Sequence, residues 1–244
     1  MVAGGVSSGT LPDEQQWLDT LKASLEADNI RILEFHRRTS ETIQFLLSTQ
    51  PAVIPTEIVK NVKGRLQHSV RPFGGVSLRR NFRLSTVGDA AAATVERYVA
   101  EQFEHHEMAD AHSQQLLEAL SVVSTDIDLT EPLHSGHGQH VLALHLVFVH
   151  AQRWRTAEVS FHEITRSAIL ATAEKWGHQI SRLALLPDHV HLTVRIRYER
   201  SPAEIALSYM NNVAFRHGML NLWMPGYYAG TIGPYDMQAV RRRM

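Results

Sequence analysis

The sequence predicts an α+β protein composed of two related halves. A strand is predicted within residues 185–194, where a Pro-Asp turn precedes a run of branched and apolar residues. A helix is predicted after residue 88, where an alanine-rich run begins. Two short stretches recur in the same order: residues 55–58 resemble 202–205 at an offset of 147, and residues 86–88 resemble 231–233 at an offset of 145.

The composition is that of a globular protein with a substantial core. Of the 244 residues, 44% are hydrophobic, which is enough for one large domain or two of about 100 residues. The absence of cysteine excludes disulfides and thiolate sites. No apolar run is as long as a membrane span, and the first residues lack the basic stretch of a signal peptide. We therefore expect a cytoplasmic protein that does not enter a membrane.

Charge gives a mixed indication of a nucleic-acid partner. The net charge of −1 is low for a protein that binds nucleic acid. Basic residues are nevertheless concentrated between residues 60 and 83, where no acidic residue occurs, and residues 241–243 are all arginine. The candidates for phosphate contacts are Lys60, Lys63, Arg65, Arg71, Arg79 and Arg80. The alternative is that these residues form an ordinary solvated helix face and loop.

The first half begins with small residues and continues with one helix and two strands. Residues 1–10 contain mainly glycine, serine and other small residues, which predicts disorder. The apolar spacing over residues 11–28 predicts a helix, and residues 30–35 and 42–47 are predicted strands. No strand is evident before the first helix, so this sheet is expected to be one strand short unless residues 121–129 supply it.

The alanine-rich helix carries the first candidate for chemistry. We expect Asp89 to cap it, and Tyr98 and Gln102, four residues apart, to share one of its faces. A further helix is predicted over residues 104–120, followed by a flexible loop over 130–138. The histidines at 134, 137 and 140 are interpreted as a solvated linker rather than a second metal site.

The strand near residue 190 carries the second candidate. Successive strand residues point to opposite faces, so His189 and His191 project to the same side. Two imidazoles on one rigid face, with Asp188 beside them, form half of a metal site. Two half-exposed histidines without a metal explain the same spacing, because the chain has 15 histidines. Spacing alone leaves both interpretations open.

Residues 187–192 resemble the HUH motif (His, hydrophobic, His) of the insertion-sequence-200-like single-tyrosine transposases, which include the REP-associated enzymes. The resemblance continues in the family's order. It covers residues 145–149, 201–205 and 222–233 in the second half, and residues 57–65 and 82–88 in the first. We interpret the chain as two fused copies of one module, with a module over residues 1–106, a linker over 107–138 and a second module over 139–244.

The resemblance implies a fold and a division of functional residues. Each module is expected to be ferredoxin-like (β-α-β-β-α-β), the two forming an intramolecular pseudo-dimer whose first module carries the tyrosine helix. By resemblance Tyr98 is the nucleophile and Gln102 the third metal ligand beside His189 and His191. The repeat places residues 42–44 at the HUH position of the first copy and Arg243 at the tyrosine position of the second. Each copy therefore lacks what the other has, and we expect one composite site.

Family members cut and rejoin single-stranded DNA through a 5′-phosphotyrosine link, using Mg²⁺ or Mn²⁺. A tyrosine hydroxyl is a weak nucleophile at neutral pH, so a metal that polarises the phosphodiester is needed. The implied partner is single-stranded or hairpin DNA, and an internal pseudo-dimer is expected to be monomeric. The alternatives are a DNA-hairpin or single-strand binding protein that does not cleave, and a decayed module in which Tyr98 is an ordinary helix residue.

Overall fold

A computed structural model describes residues 1–74, 76–106, 108 and 110–243. The α+β class is confirmed, because these residues form helices together with one six-stranded and one five-stranded sheet. Each half of the chain supplies the greater part of one sheet.

The first half has the element order strand, helix, strand, strand, helix, strand. The bounds are β1 Val2–Ser8, α1 Leu18–Glu26, β2 Ile30–Arg37, β3 Thr42–Thr49, α2 Pro55–Val70 and β4 Ser77–Ser85. Its strands lie in the order β2-β3-β1-β4, and all neighbours are antiparallel. The predicted first helix and the predicted strands at 30–35 and 42–47 are confirmed.

The prediction of a disordered start was wrong. Residues Val2–Ser8 form β1, which pairs with β3 on one side and β4 on the other. Val2 and Val6 are buried in the core. Glycine and serine have low intrinsic strand preference, but pairing on both sides and the burial of two valines outweigh it. The first sheet therefore already has a strand before its first helix, and residues 121–129 do not replace it.

The connecting part of the chain contains short elements. Their bounds are α3 Ala92–Ala100, α4 Gln102–His105, α5 Ala111–Leu120, β5 Val122–Val123, β6 Leu133–Ser135 and β7 Gly138–Val141. β7 pairs in parallel with β4, and β6 pairs with β7, so this hairpin widens the first sheet. The predicted flexible loop over 130–138 is thus partly strand.

Two details of the predicted helices also differ. The cap of α3 is Ala91, without a side-chain hydrogen bond, so Asp89 does not cap the helix. The run does not continue unbroken to Gln102, because Glu101 leaves helical geometry and α4 begins after it. The predicted helix over 104–120 is divided between α4 and α5, and residues 107 and 109 within it lie outside the described part.

The second half repeats the element order of the first. The bounds are β8 Ala143–Val149, α6 Val159–Trp176, β9 Gln179–Leu185, β10 His189–Arg195, α7 Pro202–His217, β11 Tyr228–Ile232 and α8 Met237–Arg243. Its strands lie in the order β11-β8-β10-β9, the same order as in the first half, and are antiparallel. β5 pairs with the outer edge of β9.

Local sequence explains where the long helices begin and end. Ser201 and Glu204 form a reciprocal capping box at the start of α7, which satisfies two otherwise free backbone N–H groups. Gly177 and Gly218 end α6 and α7 in the left-handed conformation, where an L side chain is strained. In the first half, Leu21 and Leu25 of α1 are fully buried, and each contributes about 1.5–3 kcal/mol through the hydrophobic effect.

The last helix of each half contacts the other half. α3 follows the first sheet but packs on β9 and β10 of the second. α8 follows the second sheet, and its Arg241 forms an ion pair of 2.6 Å with Glu34 on β2 of the first. Reciprocal backbone hydrogen bonds of 2.8 Å accompany these contacts: Ala92 N–H donates to Gly233 O, and Met237 N–H donates to Gly88 O. These pairs interchange under an offset of 145 residues, as at a two-fold interface.

Within the described residues, no helix combines the length and the apolar character needed to cross a bilayer.

Candidate active site

β10 places His189 and His191 on one face of the second sheet. The strand begins at His189, directly after the turn containing Pro187 and Asp188. The two imidazole ring centres are 4.9 Å apart. His189 Nδ1 lies 2.7 Å from Asp188 Oδ1, so the ring donates this N–H to the carboxylate and keeps a free lone pair on Nε2.

A third histidine holds the second ring. His145 lies on β8, the neighbour of β10, and its Nε2 is 3.0 Å from His191 Nδ1. The two rings are nearly parallel, with centres 5.3 Å apart, and both residues are more than nine-tenths buried. If Nδ1 of His191 donates to His145, the Nε2 of His191 is the nitrogen left with a lone pair. Each imidazole of the pair is therefore oriented by a different neighbour.

Burial keeps these rings neutral. Desolvation lowers the pKa of His145 to about 4. Desolvation, together with the nearby His189, His145 and His106, lowers the pKa of His191 to about 2. The pKa of His189 is also lowered, chiefly by desolvation and against the attraction of Asp188. Neutral imidazole is the form that binds a metal ion.

α3 brings Tyr98 from the first half to this pair. The Tyr98 ring centre is 5.7 Å from that of His191 and 6.3 Å from that of His145, in both cases edge to face. Val99, beside it, packs with Ala184 and Leu186 of the second half, which fixes the helix on the sheet. Tyr98 itself is 43% exposed, so its side chain is open to solvent.

Gln102 lies one turn further along the chain and is fully buried. Its amide Nε2 donates to the backbone carbonyl of Tyr98 at 2.9 Å. Its Oε1 is buried and has no hydrogen-bond partner among the described residues. A buried carbonyl oxygen without a hydrogen-bond partner lowers the stability of the fold by about 1–3 kcal/mol. The Gln102 oxygen is therefore free to bind a ligand from outside the protein.

Three more aromatic rings border the site. His105 stacks on Tyr98 with ring centres 6.0 Å apart, and His106 contacts His189 at 5.4 Å. Tyr228 on β11 contacts His145 at 5.3 Å. Sequence reasoning did not assign His145 to the site, although it placed residues 145–149 on a strand. The pairing of β8 with β10 is the signal that identifies it, and this pairing is visible only in the fold.

The equivalent position in the first half carries different chemistry. Gln44 on β3 corresponds to His191. The Nε2 of Gln44 lies 2.5 Å from the sulfur of Met1 on the neighbouring chain segment, just as the Nδ1 of His191 lies near the Nε2 of His145. Thr42 stands in place of His189. No imidazole is present at either position. Arg243, which the repeat aligns with Tyr98, has a side chain outside the described part of the structure.

Most of the predicted DNA-contacting cations have partners within the protein. Lys60, Arg65 and Arg79 form ion pairs with Glu57, Asp28 and Glu41. Lys63 donates to the backbone carbonyls of Arg79 and Arg80 at 2.5 and 2.8 Å, so it joins α2 to β4. Arg71 and Arg80 are exposed and make no ion pair within the described residues. The concentration of charge in the sequence is thus partly neutralised in the fold.

No group of three or more His, Cys, Asp or Glu suited to a metal occurs within the described residues. The nitrogen donors on this face of β10 are the imidazoles of His189 and His191.

Comparison with known proteins shows a family to which the second half of the chain is similar. The family model described as "Transposase IS200 like" matches residues 139–242, the segment that contains the His189 and His191 pair. The second half of the chain is thus similar to the IS200-like transposases. The resemblance of the second half to that family is therefore confirmed. A comparison with curated proteins gives no match.

Two solved structures are similar to the chain that contains this IS200-like segment. One is a REP-associated tyrosine transposase bound to a REP hairpin, with 16% identity over 42% of this chain and a TM-score of 0.34. The chain spans 61% of that protein's length. The other is a provisionally assigned transposase from Deinococcus radiodurans R1, with 16% identity over 50% of this chain, 92% of that protein, and a TM-score of 0.35.

Proposed function

We propose that this chain cuts and rejoins single-stranded DNA through a 5′-phosphotyrosine intermediate at a site built from both halves. One observation carries the proposal: Tyr98 of the first half lies with its ring centre 5.7 Å from that of His191 in the second. Catalytic groups act within hydrogen-bond reach of the reacting atoms, and the rings are close enough for one bound phosphodiester to touch both. The family of residues 139–242 supports DNA as the substrate.

The scaffold of this proposal is a pair of ferredoxin-like modules joined as an intramolecular pseudo-dimer. Both halves have the β-α-β-β-α-β order, and both sheets have the same strand order. The contact of each last helix with the other half and the reciprocal backbone hydrogen bonds further support a two-fold relation. One chain then contains what two separate modules otherwise supply, and we infer that it acts as a monomer.

His189, His191 and Gln102 would hold a divalent ion, Mg²⁺ or Mn²⁺. The unpartnered Gln102 oxygen and the neutral imidazoles, each fixed through Nδ1, fit such an ion. When bound, the ion supplies Lewis-acid polarisation of the scissile phosphodiester. Asp188 and His145 act on the imidazoles and do not bind the ion; they set the direction of each ring.

Tyr98 performs the covalent step. Its Oη attacks the phosphorus of the scissile phosphodiester, a new O–P bond forms, and the bond from phosphorus to the 3′ oxygen breaks. The phenolic proton passes to solvent, to which Tyr98 is exposed, and the leaving 3′ oxygen takes a proton from solvent. The products are a 5′-phosphotyrosine and a free 3′-hydroxyl. Attack by a 3′-hydroxyl on the same phosphorus reverses the step and joins strands.

A protein that binds single-stranded or hairpin DNA without cleaving it is the second candidate. Two observations favour it: the net charge is −1, and Arg65 and Arg79 are already paired with carboxylates. A large release of counterions requires cations that are free to contact phosphate. The two candidates share the DNA-binding surface and differ only in the reaction at Tyr98.

Strand cleavage separates the two candidates. Hairpin DNA with single-stranded flanks, labelled at the 5′ or 3′ end, is incubated with Mn²⁺ and protein. The enzyme is expected to release a 5′-labelled fragment with a free 3′-hydroxyl and to retain the 3′-labelled fragment on protein through denaturation. Tyr98→Phe and His191→Ala should each abolish both products while DNA binding persists. Binding by the natural sequence with no cleavage, in either metal, supports the binding protein instead.

A further inference from the structure

A groove separate from the histidine pair lies where the halves meet the connecting hairpin. Its volume is about 620 Å³, within the range of small-molecule sites, and α2, β4, the β6–β7 hairpin and Tyr198 form its walls. Tyr198 follows the end of β10, whereas His189 begins that strand. At about 3.3 Å per residue, the seven residues of β10 place the groove roughly 20 Å from the histidines.

The floor of the groove is apolar and aromatic. Arg80, Phe82 and Leu84 alternate along β4 and so point to the same face, and all three line the groove. The Phe82 ring lies directly over Gly138, where an added Cβ would come within 2.2 Å of the ring. Across the groove, Tyr198 packs edge to face on the buried His140 with ring centres 4.6 Å apart. These are the flat surfaces on which a nucleobase stacks.

The rim of the groove is cationic. Lys60, Lys63 and Arg80 line it, and Arg80 is exposed without an ion pair among the described residues. The first turn of α2, with Pro55 and Thr56, also faces the groove, and no side chain caps this 16-residue helix. Pro55 has no N–H, and the Glu57 N–H donates to the Ile54 carbonyl at 2.9 Å, so the Thr56 N–H and the positive end of the helix dipole are what favour an anion here. Glu57, paired with Lys60 at 3.1 Å, is the acidic neighbour on the same helix.

We infer that this groove binds one unpaired nucleotide, with its base against Phe82 and Tyr198 and its phosphate at Arg80 and the start of α2. The same chemistry is presented by a free mononucleotide and by an unpaired nucleotide of a DNA strand. The inference that a strand is the source rests on the proposed function. A strand held at the histidines and stacked at about 3.4 Å per nucleotide reaches the groove after about six nucleotides.

Photocrosslinking tests the site directly. A 5′-fluorescein single-stranded dodecamer of thymidine carries one 5-iododeoxyuridine and is bound in EDTA, so that no cleavage occurs. Irradiation is expected to link the modified base to Phe82 or Tyr198, as mapped by mass spectrometry. Excess deoxythymidine monophosphate is then added. Competition shows that a free nucleotide occupies the groove, and crosslinking without competition shows that the strand occupies it; either supports the inference.

Matched variants give the second measurement. Arg80→Gln is expected to weaken dodecamer binding by about 5–10-fold in fluorescence anisotropy and to lower the salt dependence by about one phosphate contact. Arg83→Gln removes the same charge from the opposite face of β4 and is expected to bind like the natural protein. Tyr198→Leu should lose crosslinking at this wall, and its thermal unfolding checks that it folds.

Crosslinks that map only outside the groove, with Arg80→Gln binding as tightly as Arg83→Gln, would overturn the inference. The result is independent of catalysis, because the measurement is made without metal. If the natural protein forms no Tyr98 adduct but still crosslinks in the groove, only the proposed function is contradicted. An adduct formed without crosslinking contradicts the groove alone.

Discussion

Thr86 and Thr231 make the same hydrogen bond in opposite directions between the two halves of the chain. The Thr86 hydroxyl donates to the backbone carbonyl of Ile232, and the Thr231 hydroxyl donates to that of Val87. The two threonines are equivalent in the repeat, at the offset of 145. Such a self-complementary contact is typical of a two-fold interface. These hydrogen bonds lie a few residues before α3, the helix that carries Tyr98.

Substitution of Gly88 tests this interface. An added Cβ at Gly88 would lie 2.4 Å from the backbone oxygen of Thr231, which cannot move without shifting the strand. Gly88→Ala is therefore expected to lower the free energy of unfolding by about 1–3 kcal/mol and to reduce cleavage by moving α3. Urea unfolding and the end-label assay measure the two effects.

Gly64→Ala is the matched control for that variant. Gly64 lies inside α2, and an added Cβ would meet no atom within 4 Å. Alanine is better than glycine in a helix interior by about 0.5–1 kcal/mol, so this variant should be stabilised. Equal effects of the two substitutions would show that the backbone of Thr231 does not restrict Gly88.

Gln102 should affect stability and metal binding in opposite directions. Gln102→Met removes the buried unpartnered oxygen but also the hydrogen bond to Tyr98 O, for an expected net gain of about 1 kcal/mol without metal. The same variant should lose the rise in melting temperature caused by Mn²⁺. Gln102→Glu keeps an oxygen donor and should retain that rise. If Met and Glu respond alike to Mn²⁺, Gln102 is not a ligand.

His145 should act on metal binding through His191. Its Nε2 is 3.0 Å from His191 Nδ1, and removal of such an orienting partner typically costs 10–100-fold in metal affinity. His145→Leu is expected to weaken Mn²⁺ binding in titration calorimetry by about that factor. His145→Gln, which keeps a hydrogen-bonding group, should recover most of it. Unchanged affinity in the leucine variant would remove His145 from this role.

His178 should make the fold sensitive to acid. It is buried beside Tyr209 at 3.0 Å, and desolvation lowers its pKa from 6.5 to about 4. The unfolded chain binds this proton below pH 6.5 while the folded chain does not, so stability is full above pH 6.5 and falls as the pH drops towards 4. The contribution lost between pH 7 and pH 5 is about 2 kcal/mol.

The replacement His178→Asn keeps a polar group at this position but does not titrate. The difference in unfolding free energy between pH 7 and pH 5 should be smaller in this variant by about 2 kcal/mol. His112→Asn, on an exposed helix face, should leave that difference unchanged. If the unfolding free energy of His178→Asn depends on pH as that of the natural protein does, His178 is not a source of the acid sensitivity.

Local signals in the sequence were sufficient for much of the fold. Pro187 and Asp188 marked the turn before β10, and the spacing of Leu21 and Leu25 marked α1. β1 could not be found in this way, because Gly4 and Gly5 have low strand preference and the strand depends on partners 37 or more residues away. Strand pairing, not local preference, determines that segment.

Only part of the candidate site could be predicted from the sequence, because the rest depends on contacts between distant residues. His189 and His191 share a face by the two-residue period of a strand, which sequence alone specifies. The repeat and the family resemblance suggest that Tyr98 lies near these histidines. Sequence alone cannot test this proximity, because it depends on α3 packing on the sheet of the second half. His145 required the register of β8 against β10. The pairing of Arg65 with Asp28 and of Arg79 with Glu41 is equally non-local.

The most direct test of the central claim is mass spectrometry of the covalent product. Protein, Mn²⁺ and hairpin DNA with single-stranded flanks are incubated, denatured, and digested with protease and nuclease. We predict a nucleotide phosphate attached to the hydroxyl of Tyr98, absent from His191→Ala and from the reaction in EDTA. An adduct on another tyrosine, such as Tyr228, or strand cleavage that survives in Tyr98→Phe, would contradict it.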